Sequence, residues 1–296
     1  MYKETDHCRI CGNNNLVLIM DIGVQALTGM FPKSPEEEVF SGPVQLVRCV
    51  GNDFCGLVQL RQSYDVELMY GDNYGYRSGL NPSMVAHLTS KVKDILTKDV
   101  LRDGDLVVDI GSNDGTTLKL FPTGKYSLLG VDPSGSKFID YYPPEVKLIA
   151  DFFSEKIVDE ITSGKKAKVI TSFSMFYDLE DPVAFAQEIE ATLEDDGIWI
   201  FEQSYLPAML EANSFDTICH EHLEFYCFKQ IEWIAKKAGL KVIDVEFNDI
   251  NGGSFSITAA KVNSSIQPNL KQLEKIRAYE LALGLNQAQI YEDFKQ

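Results

Sequence analysis

Four of the six cysteines fall within the first 55 residues, as two pairs. Cys8-Arg9-Ile10-Cys11-Gly12 is a tight knuckle; Cys49 and Cys55, the latter followed by Gly56, make a looser pair with five residues between them. Four thiolates complete a tetrahedral Zn2+ shell, so this spacing implies a structural metal site at Cys8, Cys11, Cys49 and Cys55, with no open position for catalysis. Glycine after each pair lets the backbone turn and aim N–H groups at sulfur. The rival reading is four buried or incidental thiols, and the paired spacing argues against it.

A second chemistry-bearing stretch is Asp109-Ile110-Gly111-Ser112-Asn113-Asp114-Gly115, directly after an apolar run. It is Gly-x-x-x-Gly, not the Gly-x-Gly-x-x-Gly of dinucleotide binders. A phosphate site would carry donors and positive charge here. Asp109 and Asp114 instead suit a cationic ligand, such as the sulfonium and amino groups of S-adenosylmethionine. Asp132 ends the next apolar run, 17 residues after Gly115. An acid there can accept from both ribose hydroxyls. Asp109, Gly111, Gly115 and Asp132 are therefore the expected cofactor residues. Asp151 and Phe152, after a third run, can place a carboxylate and a ring at the adenine. The start of a helix with core phenylalanines accounts for them as simply.

Two of the four histidines lie in Thr217-Ile218-Cys219-His220-Glu221-His222-Leu223-Glu224. In an extended segment His220 and His222 point one way and Glu221 the other. Histidine suits general base work near neutral pH, with Glu221 or Glu224 to orient or tune it. The spacing is wrong for a His-Glu-x-x-His zinc site. A histidine hydrogen-bonded under a loop and a thiol site at Cys219 are the other readings.

These residues need a scaffold. Residues 1–68 have no strong helical period, are rich in turn formers and suggest a few short strands. A turn-rich connection at 69–80 leads to a helix at Pro82–Thr97. Seven apolar runs follow: Leu106–Ile110, Ser127–Val131, Lys147–Ala150, Val169–Phe173, Gly197–Phe201, Lys241–Glu246 and Phe255–Ala260. Helical stretches are expected between the first five, giving a mostly parallel sheet covered on both faces. The last two suit an antiparallel pair. From Leu270 an amphipathic helix is expected, with Leu270, Leu273, Ile276 and Tyr279 on one stripe. The expected domains are a zinc-binding module (1–68), a cofactor-binding α/β domain (69–262) and a helical segment (263–296).

Acids outnumber bases 44 to 27, a formal charge of −17, which disfavours nucleic acid and anionic membranes as partners. No apolar run approaches the roughly 18 residues of a membrane helix. The opening residues show no basic flank and apolar segment of a secretory signal, so a cytoplasmic protein is expected.

Taken together, the chain resembles the zinc-containing, S-adenosylmethionine-dependent C-methyltransferases that build branched-chain sugars on nucleotide carriers. The resemblance covers essentially the whole chain. It is carried by Cys8–Gly12, Cys55-Gly56-Leu57-Val58-Gln59-Leu60, Tyr74–Gly79, Asp109–Gly115, His220–His222 and Asn251-Gly252-Gly253-Ser254. It implies a class I methyltransferase fold, Rossmann-like with about seven mostly parallel strands, behind the zinc module, and a nucleotide-linked sugar as substrate. It also implies that His222 removes a proton from carbon beside a ketone, and that Glu221 and Tyr76 line the same site. An enolate formed so would attack the sulfonium methyl in line. The family's deoxysugar enzymes often carry tyrosine where this chain has Cys219. They usually continue into a second α/β domain, so this sequence is expected to end in the connecting helix. An O-methyltransferase and a cofactor-binding module without catalysis are the competing functions.

Overall fold

Runs such as Leu106–Ile110 and Ala167–Phe173 have almost no polar alternation, which is the pattern of strands buried on both faces. The computed structural model describes residues 2–30, 32, 34–70 and 74–295. Strands β1 (Tyr2–Glu4), β2 (Leu16–Ala26), β3 (Ser41–Cys49), β4 (Val58–Leu60) and β5 (Gln62–Tyr64) precede helices α1 (Val66–Tyr70) and α2 (Pro82–Thr97). Next come β6 (Leu106–Ile110), β7 (Ser127–Val131), β8 (Lys147–Ile149), α3 (Glu155–Thr162), β9 (Ala167–Phe173), α4 (Pro182–Thr192) and β10 (Leu193–Ser204). The chain continues through α5 (Leu206–Ala212), β11 (Glu224–Phe225), α6 (Phe228–Lys237), β12 (Leu240–Asn248), β13 (Ser254–Lys261), α7 (Leu270–Leu283) and α8 (Gln289–Phe294). Residues 71–73 of the expected turn-rich connection lie outside the described residues.

The large sheet has the order β12-β13-β10-β9-β6-β7-β8. β13 runs antiparallel to β12 and to β10, which gives the antiparallel β12–β13 pair expected from the sequence, and the other pairings are parallel. The order reverses between β6 and β9, the crevice where open α/β sheets bind ligands. One face packs Val108, Ile170, Trp199 and Ile257 against α3, α4, α6 and α7. The other packs Val107, Val169 and Ile200 against α2.

Two expected helices are absent. The stretch after the Gly111 turn makes a single 3-10 turn, Leu118–Leu120, and the β7–β8 connection is a 3-10 segment, Gly135–Tyr141. Proline stops both: Pro122 follows the first closely and Pro143-Pro144 the second. The terminal helix forms, but its buried stripe is Leu273, Ile276 and Glu280, while Leu270 and Tyr279 are exposed. Glu280 turns inward because it accepts hydrogen bonds from the Phe228 and Lys229 N–H groups, capping α6, and from the Tyr205 hydroxyl.

The N-terminal strands form a four-stranded sheet, β11-β4-β3-β2. β11 arrives from far along the chain, just after His222, and pairs antiparallel with β4. The module's sheet is therefore completed by the segment that carries the histidines.

Candidate active site and metal centre

The knuckle turns at Gly12, whose φ is +71°, and the second cysteine pair turns at Gly56, φ +77°. These left-handed turns bring the four sulfurs together, with Cys8–Cys55 at 3.4 Å, Cys11–Cys55 at 3.5 Å and Cys11–Cys49 at 3.6 Å. All four lie within 4.8 Å of one another. A zinc tetrahedron with Zn–S near 2.3 Å has edges of about 3.8 Å, so the donor set fits this ion. Asn13 donates an Nδ2–H to Cys49 Sγ at 3.2 Å, a bond that holds a thiolate. Hydrogen bonds from Cys55 and Cys8 pull the Cys49 thiol down, and their bonds to Cys49 push Cys55 and Cys8 up. The four cysteines are a zinc-binding cluster, and with four protein ligands it is a structural one.

The knuckle also reaches toward the histidines. Arg9, between the cysteines, donates to the Leu60 carbonyl at 2.6 Å and the Ser63 hydroxyl at 2.8 Å. Its Nε lies 3.6 Å from the fully buried Glu224 carboxylate on β11. Leu223 is held on both sides: its N–H donates to Tyr177 at 2.7 Å and its carbonyl accepts from Leu60 N–H at 2.8 Å.

Residues 213–223 are turns, not an extended segment, so the histidines do not point the same way. A bond from His222 N–H to the Cys219 carbonyl closes one turn at 3.2 Å. His220 is buried, its Nε2 3.3 Å from the Gly42 carbonyl and its ring edge-on to Tyr64. Burial lowers its proton affinity, and its Nδ1 is buried without a partner. His222 instead lies against the Tyr177 ring, with Nδ1 2.8 Å from the Thr217 carbonyl. A carbonyl can only accept, so Nδ1 carries the hydrogen and Nε2 keeps the lone pair that a base needs. Glu221 is half-buried, and burial pushes its carboxyl up while His222 draws it back. A Cβ on Gly29 would stand 2.4 Å from Glu221 Oε1, so the module supplies one wall of this pocket.

Tyr76 is exposed at 45%. Its backbone carbonyl accepts from Asn113 Nδ2 at 3.1 Å, which fastens the 74–79 connection onto the glycine turn. Arg77 adds an ion pair to Asp114 at 3.1 Å, and Gly79 N–H donates to the same carboxylate. Asp114 is thus used in holding the connection.

Asp109, one residue before the end of β6, accepts from Thr171 on β9 at 2.6 Å, bridging the reversal point of the sheet. Burial pushes its carboxyl up to about 7. Asp132 accepts from Asn113 N–H at 2.8 Å and from Ser134 N–H at 2.7 Å, tying β7 to the turn. Gly111 and Gly115 are both left-handed at φ +70°. Added Cβ atoms would meet Met175 and the Tyr142 ring, so close packing as well as backbone shape requires them. Phe152 is exposed beside Asp151, which accepts its N–H, whereas Phe153 packs on Phe185. Lys119 and Arg77, the cations at the turn, are spent on the Asp114 carbonyl and carboxylate. A phosphate would find carboxylates here; a sulfonium, an ammonium and ribose hydroxyls fit them.

Several pocket residues escaped the sequence reading. Tyr70, Tyr74, Asp178 and Thr28 surround Glu221, His222 and Cys219. Tyr74 is half-buried, and burial together with the nearby Glu221, Asp178 and Asp132 carboxyls pushes its hydroxyl up. Asp178 follows a sheet strand at its ligand-binding end, a position that could have marked it. Nothing in the sequence singles out Thr28.

The family model described as "Methyltransferase domain" matches residues 84–245, and "Putative zinc binding domain" matches residues 8–70. The curated protein "C-methyltransferase NovU" of Streptomyces niveus is 28% identical over 299 residues, covering 99% of this chain and 69% of that protein. Among solved structures, magnesium protoporphyrin IX methyltransferase from Synechocystis PCC 6803 is 14% identical at a TM-score of 0.45, covering 60% of this chain and 84% of its own. An S-adenosylmethionine-dependent methyltransferase from Clostridium acetobutylicum is 12% identical at a TM-score of 0.46, covering 60% and 92%.

Proposed function

Given that the chain belongs to the methyltransferase-domain family, we propose that it methylates a carbon next to the ketone of a nucleotide-linked sugar. Transfer to carbon is the activity in the name of its curated relative. The single observation that carries the reading is the His222 ring: Nδ1–H is committed to the Thr217 carbonyl and Nε2 is left as a lone pair in an acid-lined pocket.

A C–H bond is a poor nucleophile until its proton leaves. His222 Nε2 takes that proton, and the bonding pair delocalises to the ketone oxygen as an enolate. Glu221 stabilises the imidazolium that results. Tyr76 bounds the substrate side of the pocket. S-adenosylmethionine supplies the electrophilic methyl group when bound, held by Asp109, Asp132 and the Gly111–Gly115 turn, with Asp151 and Phe152 at the adenine. Positioning provides much of the acceleration, since the carbon must meet the methyl in line. The zinc cluster holds the module, and through β11 the His222 loop. The working division is a zinc-binding module at 1–68, the methyltransferase domain at 69–262 and a helical segment at 263–296.

Incubation with methyl-labelled S-adenosylmethionine and a panel of nucleotide-linked keto-sugars tests this. A carbon-bound methyl is expected. An oxygen-bound methyl makes His222 a base for a hydroxyl, and cofactor binding with no transfer to any panel member overturns the substrate reading.

A further inference from the structure

Beside His222 lies a carboxyl that proton abstraction alone does not use. Asp178 follows β9, immediately after Tyr177, at the crevice where the strand order reverses. Its Oδ1 is buried without a partner in good hydrogen-bond geometry; the Tyr70 hydroxyl beside it and the Thr28 hydroxyl beside Cys219 are close but equally short of a well-formed bond. Buried polar atoms are rarely left so unless a ligand completes them. The titratable groups near enough to act on Asp178 are Tyr70 from α1, Tyr74 from the connection, Tyr177 beside it, Tyr226 after β11, and Cys219, Glu221 and His222 from the loop. Among these only His222 can carry a positive charge. Two neighbouring buried carboxyls with no fixed cation cannot both ionise. Asp178, whose Oδ1 is enclosed with no fixed cation beside it, is the one that keeps its proton, and burial acts in the same direction.

We propose that Asp178 donates the hydrogen bond to the ketone oxygen of the substrate and holds the enolate that forms there. This rests on the carbon-methylation reading above. The balance is simple. The C–H bond breaks, its proton goes to His222 Nε2, and its electron pair moves onto the oxygen that Asp178 O–H faces. When the carbon attacks the methyl group the pair returns from the oxygen and a C–CH3 bond forms as the donor's S–CH3 bond breaks, its pair staying on sulfur, which leaves as a neutral thioether; the carbonyl re-forms, and Asp178 keeps its proton. The substrate oxygen thereby fills the hydrogen-bonding capacity left open at Oδ1. A carboxylic acid kept neutral in this way is an oxyanion-hole donor, and removal of one such donor costs about 10²–10³ in rate.

The test compares Asp178→Leu with the isosteric Asp178→Asn, in the full chain. The probe is a thymidine-diphosphate-linked 4-keto-6-deoxyhexose in deuterated water without methyl donor, where exchange at the carbon beside the ketone reports the enolate alone. The wild type should exchange; Asp178→Leu should be slower by about 10²–10³-fold, and Asp178→Asn, which retains a donor, should fall between them. Wild-type exchange with an equally fast Leu variant overturns the role of Asp178 and spares the reaction; no wild-type exchange and no carbon methylation overturn both. If Asp178→Leu does not fold, the Asn variant decides. The wild type should show an infrared carboxylic-acid band at neutral pH that Asp178→Asn lacks, and its rate should fall at alkaline pH along a limb missing in the variant. An ionised Asp178 at neutral pH, or an unchanged limb, overturns the proposal.

Discussion

The cysteine cluster and the pocket around His222 use the same raw material: ionisable side chains buried where the N-terminal strands meet the large sheet. They differ in what is left over. The four sulfurs contact one another at 3.4–3.6 Å, Asn13 donates to one of them, and a single ion would complete the set. Around His222, the buried polar atoms of Asp178, Tyr70 and Thr28 lack a partner in good hydrogen-bond geometry, beside an imidazole whose Nδ1 alone is committed, to a carbonyl. A donor set closed on itself builds structure. A set with unused capacity has room for the polar groups of a ligand, and the difference is readable atom by atom.

Metal removal should break the comparison most severely. Structural zinc contributes roughly 10 kcal/mol or more to folding in small modules. Stripping it with a chelator should melt β2–β4, lower the thermal transition sharply, and abolish methyl transfer because β11 and the His222 loop are paired to β4. Far-ultraviolet circular dichroism and a turnover assay on the same sample check this; full turnover in metal-free protein would mean that the two sites are independent. Replacing His222 with alanine should act on one site alone. Turnover should fall by about 10²–10⁴-fold, while calorimetric titration with S-adenosylmethionine shows nearly unchanged affinity.

Arg9 joins the two regions and sharpens the contrast. Its guanidinium and the Glu224 carboxylate are both almost fully buried, so removing one partner strands the other. Arg9→Met should destabilise the protein by about 3–5 kcal/mol, measured by urea unfolding, and Arg9→Met combined with Glu224→Gln should recover much of that loss. Failure of the double variant to recover would show that Arg9 acts through its bonds to Leu60 and Ser63 alone.

The closed site was legible in the sequence and the open one only partly. Cysteine ligands announce themselves because metal geometry fixes both residue type and local spacing, and strands buried on both faces announce themselves as apolar runs. The pocket draws Thr28, Tyr70, Asp178 and Glu221 from four separate stretches, and no local pattern links them. The His220–His222 pair was ambiguous because its geometry depends on the chain path: turns send one ring to Gly42 and the other to Thr217. The turn proposed to hold the cofactor is marked in the sequence by Asp109, the glycines and Asp132, which the structure brings together at the reversal point of the sheet. The missing helix after it reflects Pro122, which ends the helical run within a few residues of the turn. Glu280 shows the same limit, since a charged residue on an amphipathic helix reads as solvent-facing until a second helix needs its end capped.

The smallest expected effect comes from the module's wall of the pocket. Gly29 has φ +76°, and a methyl group there would stand 2.4 Å from Glu221 Oε1. Gly23 has nearly the same backbone, φ +79°, but open space where its Cβ would be. Both alanine variants carry the left-handed strain, a cost of about 1 kcal/mol, so both should melt slightly early and by similar amounts. Only Gly29→Ala must also move the Glu221 carboxylate away from His222. Its turnover should therefore fall, by about tenfold if Glu221 supports the imidazolium as a typical charge-assisted hydrogen bond would, while Gly23→Ala turns over as the wild type does. Equal turnover in the two variants would show that Glu221 tolerates displacement. The module would then contribute to the reacting site only by holding β11, and its wall at Gly29 would be packing alone.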